Sequence, residues 1–523
     1  MNRLSFVFLN VLMLTFVFSC TGQTPETVKK HPNIIILLAD DMGQGDLSCY
    51  NPDSKIHTPN IDRLASQGAM FTDAHTGASV CTPTRYGIMT GRYSWRSKLK
   101  SRVLTGYDRS MIPANRQTIA SMMKNGGYNT ALIGKWHMGL DWTCKEGEKI
   151  EGFHNDIPES EAKIDFTKPI KLGPANFGFD YWYGIPASWD FPPYIFIEND
   201  MLTEQPTRKA GGWVGDIYPG YTKESIVKHK KEVPVAIWRP GIAGSFKPQD
   251  AISVVKSRTV DYIKNYNKEK PLFLYVSFTA PHTPIVPRDK FRGKSQCGIY
   301  GDFCVELDDA VGTIIDAIKE KGLFDNSIII YTADNGTSVK GLPVGYQKKY
   351  HHSPSYIYKG YKGRLDEGGH RVPFIAAWPG HIQKGSVNES LICLNDLFAT
   401  FAEITEQQIP DNTAEDSNSF LAALNGKTLN NKERVVIHSD FGGFFGIRKG
   451  DWKLTLPRDP KKRALYNLKN DPGEKHNLIT EYPEKATELT TLLGKVVKEG
   501  RSTPGKTQKN EGPETWEQLY WLK

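Results

Sequence analysis

The chain has 523 residues, more than one ordinary hydrophobic core organises, so one large domain and a smaller one are expected. With 39% hydrophobic and 24% charged residues and no repetitive tract, the composition is globular and excludes a fibrous or disordered chain. A net charge of +8 is modest at this length, and without a basic helix or nucleic-acid motif it describes a solvated basic surface, with no nucleic-acid partner expected.

Met1-Asn2-Arg3 is followed by an apolar run from Leu4 to Phe18 and then Ser19-Cys20. That run falls short of the ~20 residues a membrane span needs and reads as an export signal. Val17-Phe18-Ser19-Cys20 resembles a bacterial lipobox, in which Cys20 becomes the lipidated first residue. Cleavage nearby that discards Cys20 is the alternative. The expectation is a signal or lipoprotein peptide over 1–20, a tether over 21–30, and a periplasmic or outer-membrane lipoprotein.

Asn33–Ala39 is a continuous apolar run, as for a central strand buried on both faces, and it ends in Asp40-Asp41. Adjacent carboxylates at the carboxyl end of a buried strand repel one another unless a cation lies between them, so both are candidate metal ligands; a solvated, capping loop is the plainer alternative. Thr58 to Gly68 reads as a helix with Thr58 as cap, Pro59 at its first position and Gly68 as its stop. Next comes Ser79-Val80-Cys81-Thr82-Pro83-Thr84-Arg85-Tyr86-Gly87-Ile88-Met89-Thr90-Gly91-Arg92. Proline in a first turn places Cys81 at a helix N-terminus with Arg85 one turn in, reaching back toward it. Backbone N–H groups, helix dipole and guanidinium then make an anion site around a reactive group.

A helix over Thr118 to Lys124 precedes a strand over Tyr128 to Ile133, which feeds Gly134-Lys135-Trp136-His137-Met138-Gly139. In an extended segment Lys135 and His137 face the same side and can address one centre. Residues 141–248 are the least regular part, rich in aromatics, glycines and prolines. There Trp189-Asp190-Phe191-Pro192-Pro193-Tyr194 offers a ring and an acid suited to a sugar, or else packs a loop-rich lid.

A helix from Asp250 to Ile263 and a strand from Pro271 to Phe278 lead into Thr279-Ala280-Pro281-His282-Thr283-Pro284, whose prolines stiffen the backbone around His282. Asp302 to Lys319 reads as an amphipathic helix and Ser327 to Thr332 as a buried strand ending in Ala333-Asp334-Asn335-Gly336. Asp334 and Asn335 add two oxygen donors to the Asp40-Asp41 pair, an all-oxygen set that suits a hard cation, calcium before magnesium. Then come Lys359-Gly360-Tyr361-Lys362-Gly363-Arg364-Leu365-Asp366-Glu367-Gly368-Gly369-His370-Arg371, a strand over Pro373 to Trp378 and a helix over Asp396 to Glu403. Polar residues from Gln407 to Asn418 mark a boundary between domains over 31–406 and 407–523. Beyond it lie strand-like runs at Val435–His438, Phe444–Arg448, Trp452–Leu456 and Ala464–Leu468, and a helix near Pro483 to Val497.

Taken together, C-x-P-x-R…GR, GKWHxG, the two acidic strand ends, the histidine between prolines and the lysine five residues before Glu-Gly-Gly resemble the formylglycine-dependent (type I) sulfatases, of the arylsulfatase A-like kind and among bacterial carbohydrate sulfatases. The resemblance runs from about His31 to Leu478. It implies an alkaline-phosphatase-like α/β sandwich, a large central mixed sheet flanked by helices, with a small C-terminal antiparallel sheet and helix. The alternation of strands and helices supports that class by itself.

The resemblance also implies that a formylglycine-generating maturase oxidises Cys81 to an aldehyde whose hydrate attacks sulfur. Asp40, Asp41, Asp334 and Asn335, together with the converted Cys81, hold Ca²⁺. Arg85 and Lys135 stabilise the converted Cys81, and His137 takes a proton during sulfate release. His282 and Lys362 bind the sulfuryl oxygens, with His282 favoured as the acid toward the leaving oxygen. The expected substrate is a sulfated glycan. Trp189 and Asp190, with the Arg501-Ser502-Thr503-Pro504 tail, resemble sulfatases of galactose or N-acetylgalactosamine 6-sulfate, and Asp190 would select the axial O4. Another sulfate position, a related phosphate or phosphonate ester hydrolase, or a non-catalytic glycan-binding lipoprotein with unconverted Cys81 are the rival readings. With Cys20 lipidated and Cys81 converted, five of the seven cysteines are left, an odd number, and Cys297 and Cys304 are close enough in sequence to bridge.

Overall fold

The computed structural model describes residues 31–211, 239–245 and 247–522. The export signal, Cys20 and the tether lie outside the described residues. Among the described residues no helix is long and apolar enough to cross a membrane.

Asn33–Ala39 lies inside a ten-stranded mixed sheet and is buried along its whole length. It pairs in parallel with Leu272–Ser277 on one side and Ser327–Ala333 on the other. Asn129–Lys135 and Tyr181–Ile185 continue the parallel part. Phe374–Ala377 and Ala69–Phe71 join antiparallel beyond Ser327–Ala333. Helices Pro59–Ser66, Ala251–Asn265 and Gly298–Glu320 pack together, as do Cys81–Thr90, Ile119–Asn125 and Leu397–Ile404. A sheet flanked in this way leaves its central strand no wet face. The unbroken Ile-Ile-Ile-Leu-Leu run follows, each side chain contributing about 1.5–3 kcal/mol on burial.

Register places the chemistry. Ala39 lies opposite Ala333, Leu38 opposite Ser277, and Ser277 opposite Gly134. Asp40, Asp334, Lys135 and the loop carrying His282 therefore all leave the sheet at one carboxyl edge, where parallel sheets bind ligands.

Local details depart from expectation for identifiable reasons. Thr118 caps Ile119–Asn125 in a reciprocal pair with Ser121. Thr58 makes no such cap, because its hydroxyl accepts the Ser48 N–H and donates to Asp62. The helix expected from Asp302 begins a turn earlier, at Gly298, since the Asp302 carboxylate instead accepts the N–H groups of Gly293 and Ser295, each at 2.8 Å. Cys297 and Cys304 do not bridge. Both are buried free thiols, as are Cys81 and Cys393, while Cys49 and Cys144 are half-buried and free.

The second sheet is antiparallel in sequence order, Val435–Ser439, Phe445–Lys449, Trp452–Leu456 and Ala464–Asn467, and packs against helix Pro483–Glu499. Its core is shared with the first unit: Tyr93, Trp95, Leu391 and Cys393 pack among Val436, Ile437 and Leu489. Ion pairs Arg96–Asp416 at 2.7 Å and Arg92–Glu415 at 3.3 Å cross the boundary expected at 407. The small sheet is thus built into the large domain, and the Ser439 carbonyl accepts the Ser79 N–H at 2.8 Å, two residues from Cys81.

Candidate active site

Cys81 is the first residue of helix Cys81–Thr90, buried at the floor of a 330 Å³ cavity. His137, Asp190, His282 and Lys362 also line that cavity. Burial pushes the Cys81 thiol up; Lys135 and Lys362 oppose this, while Asp334 and Asp40 add to it. A buried thiol raised in this way is a poor nucleophile, so the anion site expected around Cys81 does not activate the residue as cysteine.

Arg85 corrects the sequence reading. Its Nε and Nη2 donate to one oxygen of Asp334 at 2.9 and 2.7 Å, and Nη1 donates to the Lys135 carbonyl at 3.3 Å and to Ser277. The guanidinium reaches across the strand ends, and its hydrogen bonds go there, not to Cys81. Lys135 likewise donates to Asp40 at 2.7 Å. Half-buried Lys362 donates to Asp41 at 2.5 Å, and Asp41, Cys81, Asp40 and Asp334 outweigh its desolvation and hold its ammonium above the ordinary range.

The four oxygen-bearing residues converge. Oxygens of Asp40, Asp41 and Asp334 lie within 4.8 Å of one another. Asp41 has a left-handed backbone, φ 68°, which turns its side chain back under Asp334, whose Oδ1 accepts the Asp41 N–H at 3.1 Å. Asn335 donates its amide N–H to Asp41 at 2.7 Å. Asp40 Oδ1, Asp41 Oδ2 and Asn335 Oδ1 are buried without a hydrogen-bond partner. Three such oxygens in one place would be costly if left bare and are what a hard cation needs, so the donor set fits a divalent metal of the calcium type. Burial alone would raise the Asp40 carboxyl, but Lys135, then His282, Arg85 and Lys362, hold it well below the usual range. Burial, and then repulsion from Asp40, pushes Asp334 upward. Clustered carboxylates whose titrations are driven apart in this way resist full ionisation together without further positive charge.

His137 also has a left-handed backbone, φ 61°. Its Nε2 donates to the Leu104 carbonyl at 2.8 Å, which leaves Nδ1 as a buried lone pair without a partner. Burial, with Lys135 and Arg85, drives the imidazole pKa well down, so the ring is neutral and Nδ1 can accept a proton. His282 Nδ1 donates to the Thr283 carbonyl at 2.6 Å, and its Nε2 stands 3.7 Å from Asp41 Oδ2.

The aromatic loop divides. Asp190 lines the cavity, accepts the Ser188 hydroxyl at 2.5 Å and pairs with Arg239 at 3.1 Å. Trp189 does not line it. Its indole is buried and meets Phe196 edge-on at 5.3 Å, so it packs the base of the loop. Arg501 bonds Asp411 and Thr503 and is absent from the cavity wall. Sequence reasoning missed Arg239 and Phe441, which do line it. Also missed was Asp46, a buried brace accepting from Tyr300 at 2.6 Å and Thr337 at 2.9 Å, with His352 at 3.0 Å.

Residues 32–407 match the sulfatase family. The chain belongs to that family. Residues 361–502 match the N-sulphoglucosamine sulphohydrolase C-terminal family, which covers the small sheet. The chain is 34% identical to a Bacteroides thetaiotaomicron N-acetylgalactosamine-6-O-sulfatase over 89% of its own length and 93% of that protein. It is 29% identical to human arylsulfatase A over 86% of this chain and 84% of that one. A solved Bacteroides thetaiotaomicron structure, a 6S-sulf from the metabolism of multiple glycosaminoglycans, superposes with a TM-score of 0.76 at 30% identity, covering 89% of this chain and 99% of that chain. This sulfatase is a sulfuric ester hydrolase with the alkaline-phosphatase-like fold of its family.

Proposed function

We propose that this sulfatase removes 6-O-sulfate from galactose or N-acetylgalactosamine units of a sulfated glycan, using Ca²⁺ and a formylglycine made from Cys81 by a maturase. The observation that carries the reading is one cavity lined by Cys81, His137 and His282, with an oxygen of Asp40 within 4.8 Å of Cys81 and His282 and the partnerless oxygens of Asp40, Asp41 and Asn335 beside them. When present, Ca²⁺ supplies a Lewis acid for a sulfate oxygen and the aldehyde hydrate supplies the nucleophile that a raised thiol cannot. The relatives named above support a 6-sulfated galacto-configured sugar, and the exported, lipid-anchored state read from residues 1–20 belongs to this proposal.

The chain's own residues divide the work. Asp40, Asp41, Asp334 and Asn335 would hold the ion, each from a strand end fixed by the register. Arg85 neutralises Asp334 and Lys135 neutralises Asp40, so both positive side chains stabilise the carboxylate set from behind. His282 and Lys362 face the cavity and bind sulfuryl oxygens. His282 Nε2 is placed to give a proton to the leaving sugar oxygen, because Nδ1 is already committed to Thr283. His137 Nδ1, neutral and without a partner, would be the base available to a hydroxyl of a formylglycine hydrate at position 81. Asp190, braced by Ser188 and Arg239, offers carboxylate oxygens to a sugar hydroxyl. A site that hydrogen-bonds an axial O4 rejects its epimer more strongly than an apolar pocket does.

The test has two readouts. The mass of the peptide containing Cys81 in active protein should show the aldehyde, and full activity from an all-thiol preparation would overturn the mechanism. A panel of mono-sulfated galacto- and gluco-configured sugars should show turnover of the galacto 6-sulfates, and equal rates on both series would overturn the sugar assignment.

A further inference from the structure

Beside the cavity that holds Cys81 lies a second one, of 570 Å³. The two are not separate features: Val103, Phe191, Arg239 and Phe441 line both. A sugar whose sulfate is seated over Cys81 therefore meets this partition, and whatever the sugar is linked to continues into the second cavity.

The partition is built for a charged ring. Phe441 is 48% exposed, one of few large hydrophobic side chains so placed among the described residues. An exposed aromatic on the rim of a polar cavity offers a flat apolar face to the C–H side of a pyranose. Its backbone carbonyl accepts the N–H of Arg102 at 2.8 Å, and Arg102 holds a left-handed backbone, φ 67°. That link keeps the two backbones adjacent, and exposed Arg102 lines the second cavity together with Phe441. On the opposite wall Arg239 lies 3.9 Å over Phe191 and is fixed by Asp190 at 3.1 Å. His154, whose ring bonds the Val103 carbonyl, lines the same wall, and the one acid on that wall, Asp156, accepts the Glu159 N–H as the cap of its own helix. An arginine held by stacking and by a carboxylate, as Arg239 is, is preorganised for a planar anion.

We propose that the second cavity is the subsite for the neighbouring sugar of the glycan, and that this neighbour is anionic: its carboxylate or sulfate is bound by Arg102 and Arg239 while its ring lies on Phe441. The assignment rests on the glycan sulfatase reading above and deepens it. The preferred substrate is an acidic oligosaccharide. A lone sulfated monosaccharide fills only the first cavity.

The experiment measures kcat/KM of the mature enzyme on four probes: 6-sulfated N-acetylgalactosamine alone, and the same sugar joined through its reducing end to glucose, to glucuronate, or to a sulfated glucose. Wild type should favour at least one anionic disaccharide over the monosaccharide and the neutral disaccharide by about tenfold or more, and which anion wins distinguishes carboxylate from sulfate. Arg102→Gln and Phe441→Ala, each verified by an unchanged Tm, should cut that preference by about tenfold. Arg102→Gln should erase the gap between the charged and neutral disaccharides, whereas Phe441→Ala should weaken every disaccharide. Equal kcat/KM on all four probes, or a preference that survives both substitutions, overturns the subsite and leaves the sulfatase reading standing. Turnover of an aryl sulfate with none of the four sugars overturns both.

Discussion

Arg85 and Asp334 face each other across the sheet's carboxyl edge with no exposed surface on either side chain, joined by two bonds of 2.9 and 2.7 Å to a single carboxylate oxygen. The other Asp334 oxygen accepts the Asp41 N–H, so the guanidinium fixes the acid that orients the Asp40-Asp41 turn. Arg85→Ala would leave a buried carboxylate without its partner. We expect a loss of about 3–5 kcal/mol in stability, read by urea unfolding, together with loss of turnover. Arg85→Lys should retain the charge and recover part of the stability, but less of the activity, because an ammonium cannot reach Asp334, Ser277 and the Lys135 carbonyl together. Wild-type stability in Arg85→Ala would show that the pair is not structural.

His137 gives a prediction about rate. Its Nε2 is held by Leu104 and its Nδ1 is bare, so removing the ring removes a base and little packing contact with the ion ligands. His137→Ala should lower kcat by about 10²- to 10⁴-fold with KM much less affected. In single-turnover assays the alcohol should still be released while sulfate release stalls. Because the ring's pKa lies well below the ordinary value, its protonation should not limit kcat near neutrality, and a kcat decline there must come from another group.

Much of this site could be read in the sequence because it lies at the ends of buried strands. Asn33–Ala39 and Ser327–Ala333 announce themselves by the apolar stretches at their centres, and the acidic residues just past their ends are the candidate ligands. What the chain order hides is direction. Arg85 follows Cys81 by one helical turn, yet its partners come from strands far away in sequence, and no spacing rule points a long side chain across a sheet edge. Trp189 and Asp190 are neighbours that the loop turns opposite ways, one into the core and the other into the cavity. Phe441 is brought to the rim by the Ser439–Ser79 backbone bond, a contact that exists only once the small sheet docks. The expected division at 407 describes the chain order and is silent on that docking, which the Arg96–Asp416 and Arg92–Glu415 pairs bridge.

The donor set predicts a metal dependence with a structural signature. Asn335→Ala removes one neutral oxygen while leaving the three carboxylates and the three cations Arg85, Lys135 and Lys362 in place. We expect weaker calcium retention, measured by equilibrium dialysis, and turnover that added calcium partly rescues. Asp40→Ala deletes both a ligand and the partner of Lys135, and should cost several orders of magnitude in activity with no rescue. Full activity in protein shown to be free of metal would refute the assignment.

The last prediction concerns the histidines that join the two sheets. His75, His370 and His438 are buried together, with His75 Nδ1 3.1 Å from His370 Nδ1 and the rings of His370 and His438 stacked 3.7 Å apart at 12°. Near-parallel stacked rings share no plane in which one metal could meet both lone pairs, so the cluster is a hydrogen-bonded brace. Lys453 approaches His370 Nε2 at 3.0 Å, and His75 Nε2 meets Asp73 at 2.8 Å. A neutral set in which Lys453 donates to His370, His370 to His75 and His75 to Asp73 satisfies these three contacts, while the Leu365 carbonyl at 3.1 Å from His370 Nε2 and Arg448 at 3.1 Å from His75 Nε2 lie against the same nitrogens. The charged groups around it are Asp73, Glu367 and Glu474 against Arg371, Arg448 and Lys453, a balance that leaves no counter-charge for a protonated ring. Burial above all lowers all three imidazole pKa values, with the other rings and Lys453 adding to it at His370 and His438. These three rings therefore bind more protons unfolded than folded once pH drops below about 6.5 and pull stability down with pH, while Asp308, Asp334 and Asp440, pushed up to about 6 by burial, pull the other way below that value. Each histidine contributes a slope of up to ~1.4 kcal/mol per pH unit until its folded pKa is reached. Asp73 and Glu367, held low by Arg371 and Lys453 respectively against burial, add their own loss only near pH 4 and below, where their unfolded forms protonate. Urea unfolding at pH 7, 6 and 5 should show the histidine-driven decline first. His438→Asn keeps a donor for the Thr76 carbonyl and should reduce the slope by about one proton. A slope in His438→Asn identical to the wild-type slope would mean that the ring accepts a proton in place, and the brace would then not be neutral.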